Sequence, residues 1–431
     1  MRRPDLGLLR HRPYANLFAA VTATAVGYQV TTVAFPLVAV LALDASEFAV
    51  GLLAALSSLA LAIFGLPAGA WVDRLRKRRV LIVSDLIRAV LILAIPVLWW
   101  MGQLSMWHLY VIAAASGAAS IFFDVASQSF LPALVGRDRL VEANAKQESV
   151  RQVAQLAGPA VAGQIIVIVT APVSLVVTGV ALLVSAAFTA RIGFDEPLAE
   201  RAPDSTLWSQ IGEGLRFVLR DPLLRVLSIS TAWSNLCSAV YHAMALVFLA
   251  RTLGLSPGTI GVMMSIGAIG GLAGAVLVRR VVARLGQGPT MCVVFALGSP
   301  FWFVLPMVGA DWRIWLAAGA TAVMSFCGVV YNITLISARQ NMAPDALQGR
   351  VNATMRFFNW CTIPVGAFVG GVLGEVVGAR ETLFIGAAGA LLAFLPLVLS
   401  PLRTMRELPS RVDTPTPATE DRSRASTTPY P

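Results

Sequence analysis

Gly69-Ala-Trp-Val-Asp73-Arg74-Leu-Arg76-Lys77-Arg78-Arg79 closes one long apolar run, and Val80 opens the next. Five of these eleven residues are Arg or Lys. A water-soluble chain can carry such a cluster on any exposed face. Between two hydrophobic runs it reads as a short loop on the cytoplasmic side of a membrane, where Arg and Lys accumulate.

The rest of the chain supports that reading. Of 431 residues, 57% are hydrophobic, and only 13% are charged, against about 25% in soluble domains. Mean hydropathy is +0.74. A helix rises about 1.5 Å per residue, so roughly 20 apolar residues cross a bilayer. Twelve runs qualify: Asn16–Leu43, Ala49–Val72, Val80–Trp100, Trp107–Leu131, Ser149–Thr170, Val173–Ile192, Leu224–Ala250, Thr259–Val281, Pro289–Gly309, Trp312–Ser337, Val351–Gly378 and Thr382–Leu402. The start, Met1 to Arg12, is basic, but the apolar run after it is too long for a cleavable signal peptide.

The net charge of +10 is a statement about topology. With a cytoplasmic N-terminus, 29 of the 33 Arg and Lys fall in inner segments. Three (Arg251, Arg313 and Arg380) fall outside, and Arg88 lies within a run. That asymmetry places both termini in the cytoplasm of a multi-pass plasma (inner) membrane protein. The basic excess also suits contact with anionic lipid heads, and no nucleic-acid reader is visible. Cys237, Cys292, Cys327 and Cys361 lie singly in apolar runs, without the spacing of a metal site or disulfide framework. No nucleotide-binding loop G-x-x-x-x-G-K-S/T is present, and three scattered histidines build no catalytic cluster. No cofactor, no metal and no enzymatic activity are expected.

The longest interior loop splits the runs six and six. The expected organisation is a six-helix bundle over 1–192, a cytoplasmic linker over 193–223, a second bundle over 224–405 and a disordered tail over 406–431. The linker holds Leu207, Ile211, Leu215 and Val218 at near-helical spacing. The tail is rich in Pro, Ser and Thr. A shift of 205 residues lands Gly69 on Gly274, Arg74 on Arg279, Arg151 on Arg356 and Pro159 on Pro364, as a repeat would.

Charges inside apolar runs cost about 2.5–3.5 kcal/mol at the bilayer centre, so they face protein or water. Asp85 and Arg88 stand three apart in the third run and can neutralise one another. Asp124 lies two turns above the inner end of the fourth run, and Glu148 and Arg151 open the fifth. With Asp73 they are expected to form one charge network near the cytoplasmic face.

The opening stretch resembles the loop signature G-x-x-x-D-R-x-G-R-R of the major facilitator superfamily. Gly69, Asp73 and Arg74 fall in place, Arg78 and Arg79 add the basic end, and Arg76 replaces the second glycine. The run Gly158-Pro159-Ala160-Val161-Ala162-Gly163 resembles the superfamily's antiporter motif G-P-x-x-G-G, with Ala162 for a glycine. Phe122-Phe123-Asp124-Val-Ala-Ser-Gln128-Ser-Phe130-Leu-Pro132-Ala-Leu-Val, then Leu140-Val-Glu142-Ala-Asn144-Ala, together with Asp85-Leu-Ile-Arg88-Ala, is similar to the drug:proton antiporter branch that includes macrolide-efflux and siderophore-export proteins.

That resemblance implies an all-α integral membrane protein: twelve transmembrane helices in two six-helix pseudo-repeats, the major facilitator fold. It implies a monomeric secondary active transporter, driven by protons, exporting small amphiphilic organic compounds by alternating access. Uptake, or translocation of a lipid or lysolipid, is the alternative. It also implies that Asp73 meets the start of the eleventh helix, Arg350–Ala353, when the inside closes; a helix N-terminus attracts an anion. In this fold helices 1, 4, 7 and 10 line the cavity. The candidate lining is then Tyr28, Gln29 and Thr32; Ser116 and Ser120; Asn235, Tyr241 and His242; Tyr331 and Asn332; with Met244, Met324 and Phe326 as adaptable apolar surface. His242 and Asp124 are candidate proton carriers, each with a packing or ion-pairing role as the plainer reading.

Overall fold

The computed structural model describes residues 7–65, 67–194, 216, 220–342 and 345–406, with the side chains of 70, 73, 137, 339–341 and 345–359 outside that description. The described residues hold helices and no strand. Twelve helices are long and apolar enough to cross a membrane. They are α1 (Arg12–Ala42), α2 (Glu47–Phe64), α3 (Lys77–Trp100), α4 (Met106–Val135), α5 (Leu140–Val169), α6 (Ala171–Ala190), α7 (Pro222–Thr252), α8 (Pro257–Leu285) and α9 (Gln287–Met307). The set is completed by α10 (Ile314–Met342), α11 (Asp345–Val377) and α12 (Ala379–Leu399).

The molecule is apolar on its outside. Val90, Trp100, Ile168, Val276 and Val376 are each more than two-thirds exposed, which suits a surface facing hydrocarbon. Helix starts are set by ordinary caps. Ser46 accepts from the Ala49 amide, Ser256 from Thr259, and Asp221 from Leu223 and Leu224. Pro222 and Pro257 occupy the first helical position, where no amide is needed.

Three runs that read as continuous are interrupted at prolines. The second stops at Phe64, and a short helix, Pro67–Asp73, carries the chain to the basic loop. The ninth tightens over Ser299–Phe303 around Pro300, and the twelfth is remade at Leu395–Leu399 around Pro396. Each proline lacks the N–H that would continue the ladder. Conversely, α5 begins nine residues before the expected Ser149, because a helix can extend into water past the membrane with its charges exposed. The linker's amphipathic stretch and the tail lie outside the described residues.

The repeat is clearest in the backbone. The starts of α1, α2 and α3 recur 210 residues later as those of α7, α8 and α9. Both α1 and α7 end in a wide last turn, Val38–Ala42 and Phe248–Thr252. The following turns match bond for bond: Ala45 N–H donates to Ala39 at 2.9 Å, and Leu255 N–H to Leu249 at 3.0 Å. The expected shift of 205 matches only the starts of α5 and α11. Their ends, Val169 and Val377, and the starts of α4 and α6 against those of α10 and α12 are 208 apart, so Gly163 matches Gly371 and Pro159 stands three residues out of register with Pro364. In the first three helices it is corrected to 210, so Arg74 matches Arg284 and Gly69 matches Arg279. The second copy is shorter by two residues between its third and fourth helices.

Candidate substrate cavity

The first six helices build a charged wall. Asp85, fully buried, accepts from Arg88 at 3.4 Å and from the Ser185 hydroxyl of α6 at 2.6 Å. That double hold aims the Arg88 guanidinium, which also lies over the Phe123 ring at 5.8 Å. Arg88 then lines a cavity of about 220 Å³ with Tyr28, Gln29, Ser120, Asp124 and Arg151. Asp124 is exposed to this space and has Arg88 and Arg151 as its charged neighbours. Since α4 runs to Val135, Asp124 is three turns from the helix end, deeper than the sequence placed it, and it belongs to the cavity wall.

A second polar pocket, about 510 Å³, adjoins this one through Ser127 and Arg151 and leads toward the basic end past Gln147 and Glu148. Gln147 is buried, and its Nε2 has no hydrogen-bond partner among the described residues. Glu148 accepts from Gln152 at 2.7 Å. The expected charge network is therefore brought together at Asp85, Arg88, Asp124 and Arg151, with Glu148 beside Arg151 at the entrance. The side chain of Asp73 lies outside the described residues, as do those of Arg350–Ala353 and Arg356.

The last six helices build an uncharged, aromatic wall. A cavity of about 490 Å³ is lined by Thr231, Asn235, Trp302, Met324, Tyr331, Asn332 and Trp360 among others. The Thr231 and Tyr331 hydroxyls bond at 3.1 Å, and Phe295 meets Tyr331 edge-on at 5.2 Å. Several expected lining residues, Phe326 among them, line neither of these two cavities. Tyr241 is 3% exposed, wedged against Trp302 at 4.8 Å, and Met244 is fully buried where α7 crosses α11. Ser116 bonds back to the Ile112 carbonyl at 2.6 Å. His242 is exposed and lies edge-on to Trp302, 5.7 Å between centroids, rather than among the lining residues of this cavity. Thr32 is exposed one turn beyond Tyr28, whose carbonyl it bonds.

The two halves are fastened at the end away from the basic loop. Arg251, closing α7, reaches the turn between α1 and α2 and donates to Glu47 at 3.2 Å, Asp44 at 2.9 Å and the Ala45 carbonyl at 2.8 Å. Asp44 takes a left-handed conformation, φ 45°, where the second copy has Gly254 at φ 61°. The first copy keeps a carboxylate in that strained position, and it holds Arg251. Glu375 of α11 accepts from the Phe48 amide at 3.1 Å.

Two glycine crossings lie beneath. A Cβ on Gly51 would stand 2.2 Å from Gly371 Cα, and one on Gly163 would stand 2.3 Å from the Pro257 carbonyl oxygen. The antiporter-like stretch thus forms half of the α5–α8 crossing: Gly261 packs on the Pro159 carbonyl, and the Ala160 amide donates to Ser265 Oγ at 3.1 Å. Gly158 makes room for the Gln29 side chain of the charged wall. At the basic loop, Arg78 donates to the carbonyls of Thr189 and Ala190, holding the loop to α6. Gly69 has open space where a Cβ would go.

A family model described as a transmembrane secretion effector matches residues 5–425. The chain belongs to this family of major facilitator superfamily transporters. The multidrug efflux pump Tap of Mycolicibacterium fortuitum is similar, 29% identical over 408 residues, which is 91% of this chain and 96% of that protein. Among solved structures, a variant of the nucleoside transporter NupG superposes with a TM-score of 0.75 at 11% identity, covering 90% of this chain and 99% of that one. A bacterial homologue of the iron transporter ferroportin in an inward-facing state gives 0.73 at 17% identity, over 91% and 98%. At those identities the structural likenesses establish the fold alone.

Sequence reasoning missed Trp302, Trp360 and the Arg251 latch. Arg251 carried a signal: it is one of three basic residues on the charge-poor side, and two acids, Asp44 and Glu47, stand on that same side. Trp302 lies between Pro300 and Pro306, in a run whose helix was assumed regular. Trp360 packs on Gly65, at the break in the second run that Pro67 causes.

Proposed function

We propose that this chain is a proton-driven exporter of small amphiphilic organic compounds, working by alternating access. The observation that carries the reading is a pair of cavities, one charged in the first six helices and one aromatic in the last six, with a seal between the halves at the end away from the basic loops. Among the described residues, every hydrogen bond between the first six and last six helices lies on the seal's side of the molecule. With both termini cytoplasmic, a seal at the end away from the basic loops supports a state open to the cytoplasm. The halves 1–192 and 224–405 rock as bodies about the glycine crossings of α2 on α11 and α5 on α8.

In this scheme an amphiphile enters from the cytoplasm and lays its apolar part on Trp302, Tyr331 and Trp360, with polar atoms toward Asn235 and Asn332. Its polar end faces Asp124, which exchanges a proton as the seal opens; Arg151 is the counter-charge that takes over when the substrate leaves. The family name and the multidrug efflux relative support export. The charges of Arg88 and Asp124 argue against the lipid-translocating alternative, which favours apolar walls. The basic loop with Gly69, Asp73, Arg74, Arg78 and Arg79 closes the cytoplasmic side in the other half of the cycle.

The test is accumulation of fluorescent amphiphiles and macrolide-type antibiotics in cells expressing the chain, with and without a protonophore. Low accumulation that rises with the protonophore is expected. Accumulation equal to that of empty cells across the panel rejects the amphiphile class, and accumulation above them rejects export.

A further inference from the structure

The lipid-facing side of the basic loop carries a groove whose apolar length the transport cycle above does not use, although Arg74 and Arg79 at its end belong to the closing loop. It runs between α3 and α4, with a volume of about 710 Å³. Val83, Ile87, Ala115, Ala118 and Phe122 line it, and Arg74, Arg76 and Arg79 ring one end. Val83 is 53% and Ile87 45% exposed, so the trough opens to the outside of the bundle, away from the cavity. On α4 the residues at 115, 118 and 119 are all alanine, one helical face of side chains short enough to leave a channel. Trp71 stacks on Phe122, 6.1 Å apart and nearly parallel, and stiffens the wall.

The loop's five cations divide in two. Lys77 is buried, and Arg78 is held by the carbonyls that end α6. Arg74, Arg76 and Arg79 are exposed, and among the described residues none of them has an ion pair or side-chain hydrogen bond. Three guanidiniums at membrane-surface depth, above an apolar trough, match a phosphodiester head with an acyl chain below it. A zwitterionic lipid offers the same phosphate but brings its own ammonium, so it offsets none of the net positive charge of the three guanidiniums, whereas an anionic lipid does. We infer that the α3–α4 groove is a binding site for one anionic phospholipid of the membrane, its phosphate held by Arg74, Arg76 and Arg79 and its chain lying along Ile87 and Ala118. The inference stands independently of what the transporter exports.

Native mass spectrometry of the full-length transporter, released from detergent with phosphatidylglycerol and phosphatidylcholine of identical chains, tests it. Wild type is expected to retain one phosphatidylglycerol in preference to phosphatidylcholine. Arg74→Gln/Arg76→Gln/Arg79→Gln is expected to reduce that preference roughly 100-fold, at about 1 kcal/mol of surface attraction per cation. Ile87→Trp fills the trough from an exposed position, leaves the cations in place and is expected to lose the lipid. No preference in wild type overturns the proposal. So does a preference that survives Ile87→Trp, which would mean attraction to the surface without a groove. Cross-linking of Ile87→Cys to Ile211→Cys, with no lipid retained, gives the groove to the chain's own linker and also overturns it.

Discussion

Replacing Arg251 by Gln removes the one cation that ties α7 to the turn between α1 and α2. Its guanidinium makes three hydrogen bonds there, to Glu47, Asp44 and the Ala45 carbonyl. Charge-assisted hydrogen bonds contribute about 1.5–3 kcal/mol when sheltered, and exposed ion pairs only about 0.2–1 kcal/mol. The Asp44 side chain is 94% exposed, so its pair belongs to the weak range, while Glu47 is 25% exposed. Arg251 itself is 30% exposed, which discounts the remainder. A net value of about 2 kcal/mol follows, equivalent to about a 30-fold shift in the ratio of sealed to open states. Spin labels at Gln103→Cys and Ala310→Cys, exposed positions in loops of the two halves at the sealed end, report that ratio by pulsed dipolar spectroscopy. The four native cysteines are replaced in that background. Arg251→Gln is expected to add or enlarge a long-distance component, Glu47→Gln to do so strongly, and Asp44→Asn weakly. An unchanged distance distribution in Arg251→Gln, or an Asp44 effect equal to that of Glu47, would refute the reasoning.

Other outcomes follow from the same geometry. Gly51→Val forces a side chain into the Gly371 backbone, where even a Cβ has 2.2 Å, and overpacking of about 1–3 kcal/mol weakens the sealed state; transport should fall several-fold, while Gly69→Ala, at an open site, leaves the sealed state unchanged in the same spin-label assay. Asp124→Asn is expected to uncouple transport from the proton gradient and flatten its pH profile with insertion intact, measured as protonophore-sensitive efflux against surface expression. Trp302→Ala removes an aromatic surface worth about 0.5–1.5 kcal/mol per ring pair, raising the KM for aromatic substrates up to about tenfold without a matching loss for aliphatic ones. Asp73→Asn should cripple turnover at normal expression levels, because the cytoplasmic closure loses its anion; full activity would remove that role.

The fold was legible because membrane physics leaves a coarse signature: twelve runs of sufficient length and a loop at 69–79 whose charge fixes its depth. What escaped was short-range. Pro67 sits only two residues before the stretch 69–79, so the second run still passed as one helix, though its missing amide ends α2 before it. The match of Pro159 with Pro364 is three residues out of register, and the backbone register of the first three helices is carried by turns with little sequence in common, such as Asp44 against Gly254. Tyr28 and Gln29 line the charged cavity, and Asn235, Tyr331 and Asn332 the aromatic one. Tyr241 and Met244 lie on the same helix as Asn235 but near its sealed end, where the halves touch and side chains are enclosed. Periodicity gives the face of a helix; it does not give the height at which a cavity closes.

Inverted membrane vesicles test the central claim most directly. In them the face assigned to the cytoplasm, with the basic loop, is turned outward. An imposed interior-acid gradient should drive a fluorescent amphiphile into vesicles bearing the wild-type chain, and a protonophore or Asp124→Asn should abolish that uptake. Gradient-driven uptake of the same compound into right-side-out vesicles, with none into inverted ones, would contradict export.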